Sequence, residues 1–435
     1  MKPFGWLLPA MAAFMAPSAG SAPGPSPKTA FVRVTLLDMV RDAPLLDQTV
    51  LVEDGRITAV GPSRAIAVPS DARRIDGRGR FLLPGLVDMH VHLQDSSDLR
   101  LFLANGVTTI RDLNGSPALL AWRRLQSHDS LVAPALIVSG PLFAGPDVRW
   151  KNKVVPRTPA EARTMVIAER DAGYDLIKVY DGLTGDAYDT LIATAGQVGM
   201  PVTGHIPEDV GLAGVLSARQ SIEHADKIVF AAWGHHLDQT RLVPIADSIK
   251  RSGVWFTATL ASLEQLDLVA HGRYDSLMRQ PGVSRASRDA REWWSVVGRL
   301  SREGGSPTDG RFTAWTNFER HLVRALFERG VPMLAGTDTP NAVMVPGYSL
   351  MVELEALQDD SIPPYAILRM ATRNAGVWAN HVPPFGTVTV GSRADLLLLA
   401  ADPSGDVRNL RWRVGVMVRG RWFTERELQA MVARE

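Results

Sequence analysis

The chain has 435 residues, 46% of them hydrophobic and 21% charged, so it is long enough for one large domain and a smaller one with a sizeable core. Forty-seven basic against 46 acidic residues leave a formal net charge of +1, which argues against nucleic acid as a partner. The chain has no cysteine, which excludes disulfides, thiolate ligands and cysteine nucleophiles. Any metal site must therefore use nitrogen and oxygen ligands.

The first 22 residues have the pattern of a secretory signal peptide. Lys2 precedes an apolar run at 4–16, and small residues follow as far as Ala22. The run is short for a membrane helix, and the sequence contains no other apolar stretch of 18 residues. We therefore predict export to a bacterial periplasm, or secretion, with no stable membrane span after cleavage. A weakly hydrophobic, disordered N-terminus is the alternative interpretation.

Both ends of the chain have the composition of β-structure. From 31 to about 80 the sequence consists of short apolar runs separated by Asp-Gly and Gly-Pro turns, which predict strands and hairpins. The pattern returns at 386–388, 394–399 and 413–418. We therefore predict that 28–83 and 381–435 together build one small β-sandwich domain.

The middle of the chain, 84–380, alternates short apolar strands with helical segments. Eight strand candidates end at His92, Asp112, Ser139, Lys178, His205, His224, Thr259 and Asp338. Helices are expected at 159–172, 187–198, 318–329 and 350–358. Eight strands alternating with helices are typical of a (β/α)₈ TIM-like barrel, so the predicted fold class is α/β.

One connection of the predicted barrel, at about 261–314, is much longer than a typical loop. It contains the pair Trp293-Trp294 and many arginines. We expect this insertion either to cover the substrate as a lid or to pack its tryptophans into the core of a helical pair.

Reactive groups in such a barrel lie at the C-terminal ends of the strands. His90 and His92 are two positions apart in a β-prone run, so both imidazoles face one side of a strand and can bind one metal ion. Four more nitrogen or oxygen donors lie at other strand ends: Lys178, His205, His224 and Asp338. Any one of them can be an ordinary paired, capping or solvent-exposed residue. Their joint placement at successive strand ends predicts a metal site.

The segments 84–92, 106–109 and 336–338, with 371–375 and 386–396, carry a resemblance to a known family. On these residues the chain resembles the amidohydrolase superfamily, in which a distorted (β/α)₈ barrel is flanked by a β-sandwich. The donor order His-x-His, Lys, His, His, Asp is similar to the binuclear branch, whose lysine is carboxylated by carbon dioxide. The segments 175–181 and 222–226 look closest to imidazolonepropionase-like and prolidase-like members.

The resemblance implies a role for each donor of a site that holds two divalent metal ions, with zinc as the default. His90, His92 and Asp338 would bind the more buried ion, His205 and His224 the more exposed ion, and carboxylated Lys178 both. A hydroxide that bridges the ions would be the nucleophile. Asp338 would be the catalytic acid–base, which orients the hydroxide and passes its proton to the leaving group.

The candidate substrate contacts are Tyr180, Arg149, Trp150, Trp233, His235 and His236. Tyr180 follows the bridging lysine, and the others lie in the loops after strands 3 and 6. Arg149 suits a substrate carboxylate, although a solvated loop charge is the more common role. His235 and His236 can equally be part of a polar loop.

The predicted activity is hydrolysis of a C–N bond in an amide, dipeptide, N-acyl amino acid or cyclic amide. Lys178 argues against the imidazolonepropionase reaction itself, because that enzyme lacks the bridging lysine. An esterase, lactonase or phosphotriesterase would use the same centre. A catalytically silent metal-binding protein is the third class, but such relatives usually lose ligands, and none is lost here. The expected partner is a small-molecule substrate, and a homo-oligomer is left open.

Overall fold

A computed structural model describes residues 28–127, 131–234, 236–303 and 311–433. The predicted signal peptide, 1–22, lies outside the described residues. The strands are β1 (Thr29–Leu36), β2 (Leu45–Glu53), β3 (Arg56–Pro62), β4 (Arg73–Asp76), β5 (Phe81–Pro84), β6 (Leu86–Val91), β7 (Val107–Asp112), β8 (Ala135–Val138), β9 (Leu142–Phe143), β10 (Lys153–Val154), β11 (Ile177–Val179), β12 (Val202–Gly204), β13 (Ser221–Glu223), β14 (Phe256–Thr257), β15 (Met333–Leu334), β16 (Leu396–Leu399), β17 (Arg413–Val418) and β18 (Arg421–Thr424).

The α-helices are α1 (Leu99–Ala104), α2 (Pro117–Ser127), α3 (Pro159–Ala172), α4 (Gly185–Val198), α5 (Gly211–Ala218), α6 (Ala225–Trp233), α7 (Leu242–Ser252), α8 (Leu260–Ala270), α9 (Tyr274–Leu277), α10 (Arg288–Glu303), α11 (Arg311–Glu328), α12 (Tyr348–Asp359), α13 (Pro364–Met370), α14 (Arg373–Ala379) and α15 (Glu425–Val432). The four predicted helices are among them. For α3 both ends agree, because Thr158 caps its N-terminus and Gly173, at φ 90°, ends it.

The two ends of the chain form one eight-stranded mixed sheet. Its order is β18-β17-β16-β5-β1-β2-β3, and β4 pairs with β1. The antiparallel pair β5–β16 joins the N-terminal strands to the C-terminal strands, with Leu82 opposite Leu398. A sheet built from both ends is therefore present, while its division into a two-layer sandwich stays a prediction. The prediction of a strand at 386–388 was wrong, because that segment is irregular.

The middle of the chain contains all eight predicted strands, arranged in two parallel sheets. One sheet is β6-β7-β8, and the other is β10-β9-β11-β12-β13-β14-β15, in which β9 and β10 are additional short strands. Isolated parallel bridges, Ser139 with Leu176 and Val91 with Thr339, link the two sheets at both sides. The α/β class is confirmed, and a closed barrel stays a prediction.

The long insertion at about 261–314 is largely helical. Helices α8 to α11 occupy most of its described part. Trp294 is completely buried, and its Nε1 donates a hydrogen bond to the Pro340 carbonyl at 2.6 Å. Trp293 is only partly buried. The structure therefore places one tryptophan of the pair in the core. Within the described ranges, no helix is long and apolar enough to cross a membrane.

Candidate metal centre

The six predicted metal ligands lie at or just after the C-terminal ends of their parallel strands. His90 lies within β6 and Lys178 within β11, where every residue is buried. His205 and His224 directly follow β12 and β13, and Asp338 lies four residues beyond β15. Because parallel strands present their carboxyl ends at one edge, residues from five strands share one small region.

Three of these residues form a compact group of potential metal ligands. One ligand atom from each of His90, His92 and Asp338 can be chosen so that all three lie within 4.8 Å of one another. Asp338 Oδ1 is 3.0 Å from His92 Nε2 and 3.4 Å from His90 Nε2. The side chain of Asn341 donates a hydrogen bond to the other oxygen of Asp338 at 3.0 Å.

The remaining two histidines adjoin this group. The ring of His224 lies 4.4 Å from that of His90 and 5.0 Å from that of His205, measured between ring centroids. All six predicted ligands belong to described residues, and the structure brings at least the four histidines and Asp338 to one place.

Hydrogen bonds hold three of the histidine rings through their Nδ1 atoms. His90 Nδ1 is 2.8 Å from Glu223 Oε2, and His205 Nδ1 is 2.7 Å from Asp181 Oδ1. His224 Nδ1 is 2.8 Å from Thr259 Oγ1. A partner at Nδ1 orients the ring and leaves Nε2 available as a ligand, which is the usual arrangement around a bound metal.

Lys178 is completely buried at this site, and its Nζ has no hydrogen-bond partner among the described residues. Burial lowers the pKa of Lys178 to about 8, although the nearby carboxylates of Glu223 and Asp338 raise it. A lysine in this state holds its proton weakly, which distinguishes it from an ordinary surface lysine.

These residues fit a metal ion. Three buried nitrogen atoms have no hydrogen-bond partner within the described residues: His90 Nε2, His92 Nδ1 and Lys178 Nζ. A buried polar atom without a partner costs about 1–3 kcal/mol, so three at one place indicate that a binding partner completes the site. Imidazole nitrogen and carboxylate oxygen are donors that suit zinc, manganese, cobalt or iron.

The protonation states of the site agree with metal binding. Burial lowers the pKa of His90, His205 and His224 well below the usual range, which favours the neutral imidazole that a metal requires. Burial alone would raise the pKa of Asp338, but His224 and His92 bring it to about 2. Asp338 is therefore an anion at neutral pH.

A buried ion pair lies behind His90. Arg111 donates a hydrogen bond of 2.6 Å to Glu223 Oε1, and both side chains are completely buried. Thr203 also donates to this carboxylate, and the Arg111 guanidinium stacks 4.4 Å from the centre of the Trp378 ring. Sequence reasoning missed this pair, because neither residue is in a metal-ligand motif, although Glu223 directly precedes His224.

The backbone at the site has unusual conformations. His224, Thr259 and Asp338 have positive φ angles of 72°, 50° and 62°. Such angles are unfavourable for residues with a Cβ atom and tend to occur at functional sites. Gly336 packs so closely on β6 that a Cβ atom added to it would lie 2.9 Å from the backbone nitrogen of His90.

The candidate metal centre opens into a cavity of about 180 Å³. Tyr180 and Trp150, two of the candidate substrate contacts, line it. The indole nitrogen of Trp150 donates a hydrogen bond of 2.9 Å to the Tyr180 hydroxyl, and the Tyr180 ring lies 4.0 Å from the His205 ring. Trp293 from the insertion also lines the cavity, and the centroid of its ring lies 6.2 Å from that of Trp150.

The other predicted substrate residues lie elsewhere or are not described. Arg149 and His236 are exposed and do not line the cavity. Trp233 is buried against Phe318, and its Nε1 donates to the Asp238 carbonyl at 2.9 Å. His235 lies outside the described residues.

The sequence matches the model of the amidohydrolase family over residues 81–423, which is most of the chain. The chain therefore belongs to the amidohydrolase family. This membership supports the prediction of a hydrolase that acts on carbon–nitrogen bonds.

Solved structures share the fold. A bottromycin amidohydrolase has a TM-score of 0.76 and 24% identity, over 93% of this chain and 88% of that one. An Xaa-Pro dipeptidase with bound methionine in its active site has a TM-score of 0.70 and 17% identity, over 91% of this chain and 100% of that one. At these identities the likeness concerns the fold alone.

Curated relatives match over short segments. A dihydroorotase from Mycobacterium tuberculosis is 50% identical over 46 residues, which are 11% of this chain and 10% of that protein. An imidazolonepropionase from Saccharopolyspora erythraea is 48% identical over 54 residues, which are 12% of this chain and 13% of that protein. The matched segments thus span about a tenth of the length of these relatives.

Proposed function

We propose that this protein hydrolyses C–N bonds of small molecules, in an amide, dipeptide, N-acyl amino acid or cyclic amide, with the aid of two divalent metal ions. The observation that carries the proposal is the group of His90, His92 and Asp338. Buried nitrogen atoms of both histidines and of Lys178 have no hydrogen-bond partner there. Family membership supports the class of bond.

We also propose that the chain forms a closed barrel with a flanking β-sandwich. The bridges Ser139–Leu176 and Val91–Thr339 would close the eight predicted strands into a (β/α)₈ barrel, with 84–380 as its extent and about 261–314 as an insertion. The mixed sheet would form the flanking β-sandwich from 28–83 and 381–435. Such closure would bring donors from five strands to face one centre.

The six proposed ligands would divide between the two ions. His90, His92 and Asp338 would hold one ion, His205 and His224 the other, and carboxylated Lys178 both. Two divalent ions at this place would supply Lewis acidity and lower the pKa of water toward neutrality.

Lys178 would be carboxylated by carbon dioxide. The neutral amine forms a bond from Nζ to the carbon of CO₂ and releases one proton, which produces a carbamate anion. Burial without a hydrogen-bond partner favours this reaction, because it destabilises the protonated amine. The carbamate also replaces a buried cation by a bidentate anion among neutral imidazoles.

Asp338 would act as the general base and then as the general acid. Its carboxylate is ionised and is oriented by the hydrogen bond from Asn341, so it can accept a proton from the attacking water. The same carboxyl can then give this proton to the departing amine. Tyr180 and Trp150 would contact the substrate beside this centre.

Metal analysis and a substrate screen test the proposal. Purified protein should contain close to two divalent metal ions per chain and hydrolyse members of a panel of N-acyl amino acids, dipeptides and cyclic amides. Full activity with fewer than about 1.5 ions per chain would contradict the two-metal site. Turnover confined to esters, lactones or phosphotriesters would replace the C–N assignment, and bound metal without turnover would indicate a silent metal-binding protein.

We also propose export to the periplasm or secretion, on the pattern of residues 1–22. Fractionation of cells that express the full chain, compared with a chain that begins at Ala22, tests this. Retention of both forms in the cytoplasm would overturn it.

A further inference from the structure

Glu319 of α11 lines the cavity but takes no part in the proposed chemistry. It is only 1% exposed, and its Oε1 has no hydrogen-bond partner within the described residues. A buried carboxyl oxygen without a partner is costly, so its place in a cavity wall indicates a ligand that completes it. Sequence reasoning missed Glu319, because α11 lies far along the chain and carries no motif.

The charged residues around Glu319 indicate the charge of this ligand. Lys227 is the single lysine or arginine among the described residues that line the cavity. Its Nζ lies 3.5 Å from Asp181 Oδ2 and 3.7 Å from Asp226 Oδ2, so two carboxylates already share this charge. Burial, with Asp226 and Glu264 nearby, raises the pKa of Glu319 well above its usual range, and Lys227 offsets this rise only in part.

Aromatic side chains make the same cavity favourable for a cation. Trp150, Trp293 and Tyr180 line it. The faces of such rings attract ammonium and guanidinium groups, most strongly where water is excluded.

From this geometry we infer that Glu319 selects substrates with a cationic ammonium or guanidinium group, bound beside the reacting C–N bond. The inference rests on the proposed hydrolysis and narrows its substrates to basic amides. Asp226 adds a second acidic group to this subsite. A charge-assisted hydrogen bond in a buried place is expected to favour a cationic substrate by about 10- to 100-fold over an uncharged one of the same size.

Two pairs of substrates of matched size test the inference in metal-loaded protein. 6-Aminohexanoyl-alanine is compared with heptanoyl-alanine, and Nα-acetyl-lysine with N-acetyl-2-aminoheptanoate, so that the cation lies on either side of the amide. In wild type, the ratio of kcat/KM within at least one pair should favour the cation by about 10- to 100-fold. Glu319→Gln should reduce this ratio to near one.

Glu328→Gln is the matched control, because Glu328 is an exposed carboxyl on the same helix, α11, that does not line the cavity. It should keep the wild-type ratio. A wild-type ratio near one in both pairs, or an unchanged ratio in Glu319→Gln, would overturn the inference.

Calorimetry separates this inference from the proposed function. Free lysine should bind wild type about 10- to 100-fold more tightly than norleucine, and Glu319→Gln should abolish the difference. If no amide is hydrolysed, the proposed function fails while this binding result still decides the role of Glu319. Equal binding of the two amino acids by wild type would overturn that role.

Discussion

His90 and Glu223 are 133 residues apart in the chain, yet His90 Nδ1 lies 2.8 Å from Glu223 Oε2, with both side chains completely buried. The other oxygen of Glu223 accepts a hydrogen bond from Arg111. The buried charge of Arg111 thus holds the carboxylate that orients a proposed metal ligand.

Glu223→Gln should impair both metal binding and stability. The amide is a weaker acceptor for His90, so metal affinity should fall about 10- to 100-fold. Arg111 would also lose its buried counter-charge, which should lower the free energy of unfolding by about 3–5 kcal/mol. Metal titration and denaturant unfolding measure the two effects.

The double variant Arg111→Met, Glu223→Gln separates these effects. It removes the unpaired cation, so much of the lost stability should return while metal affinity stays low. Wild-type metal affinity in Glu223→Gln would contradict the orienting role of this carboxylate.

Asp338→Asn should remove most turnover and leave the fold intact. The amide has nearly the shape of the carboxylate but cannot carry the proton, so kcat should fall by at least about 10²- to 10⁴-fold. Steady-state kinetics and circular dichroism measure this. Asn341→Ala, which only releases one hydrogen bond to Asp338, should have a smaller effect. Near-normal kcat in Asp338→Asn would rule out the proposed proton transfer.

Lys178→Ala should lose metal and activity, and a short carboxylic acid added to the buffer should restore both in part. The acid can occupy the place of the carbamate and supply its two oxygens. Metal content and kcat, each measured with and without the acid, check this. Lys227→Ala is the matched control, because this lysine lines the cavity outside the proposed ligands and no acid should rescue it. Full metal content in Lys178→Ala would contradict a bridging role.

Removal of metal with a chelator should lower the thermal stability. A ligand that binds only the folded state at 100 times its Kd adds about 2.7 kcal/mol, so the melting temperature should fall by several degrees and recover when metal returns. The double variant His90→Ala, His92→Ala should show no such shift. A chelator effect of equal size in that variant would place the metal elsewhere.

Glu169→Gln should stabilise the protein at alkaline pH. Glu169 in α3 is buried, neither of its carboxyl oxygens has a partner within the described residues, and burial raises its pKa from 4.5 to about 9. Because the folded state binds this proton more tightly, its contribution to stability is complete below about pH 4.5 and declines as the pH rises toward 9.

Unfolding of wild type and Glu169→Gln at pH 5 and pH 8.5 measures this effect. The variant should resemble wild type at pH 5 and be more stable, on the order of 1–3 kcal/mol, at pH 8.5. An equal difference at both pH values would show that Glu169 does not titrate in this range.

Local sequence patterns predicted much of the fold. The eight parallel strands were found from their apolar runs, and α3 was predicted with the bounds that the structure gives it. The irregular segment at 386–388 was misjudged, because an apolar, β-prone run forms a strand only where a neighbouring strand offers hydrogen bonds. Nothing in the local sequence of the insertion indicates that its helices lie beside the cavity.

The sequence by itself determined which residues are proposed as metal donors, because His90-Val-His92 and the polar residues at the strand ends are visible as local patterns. Only the tertiary structure decided the partners of these donors and the wall of the cavity. Glu223 reaches His90, and Glu319 reaches the cavity, through packing between elements that are distant in the chain. The periodicity of apolar residues shows which face of a helix or strand is buried. The residues that pack against that face depend on how all the elements are arranged in the fold.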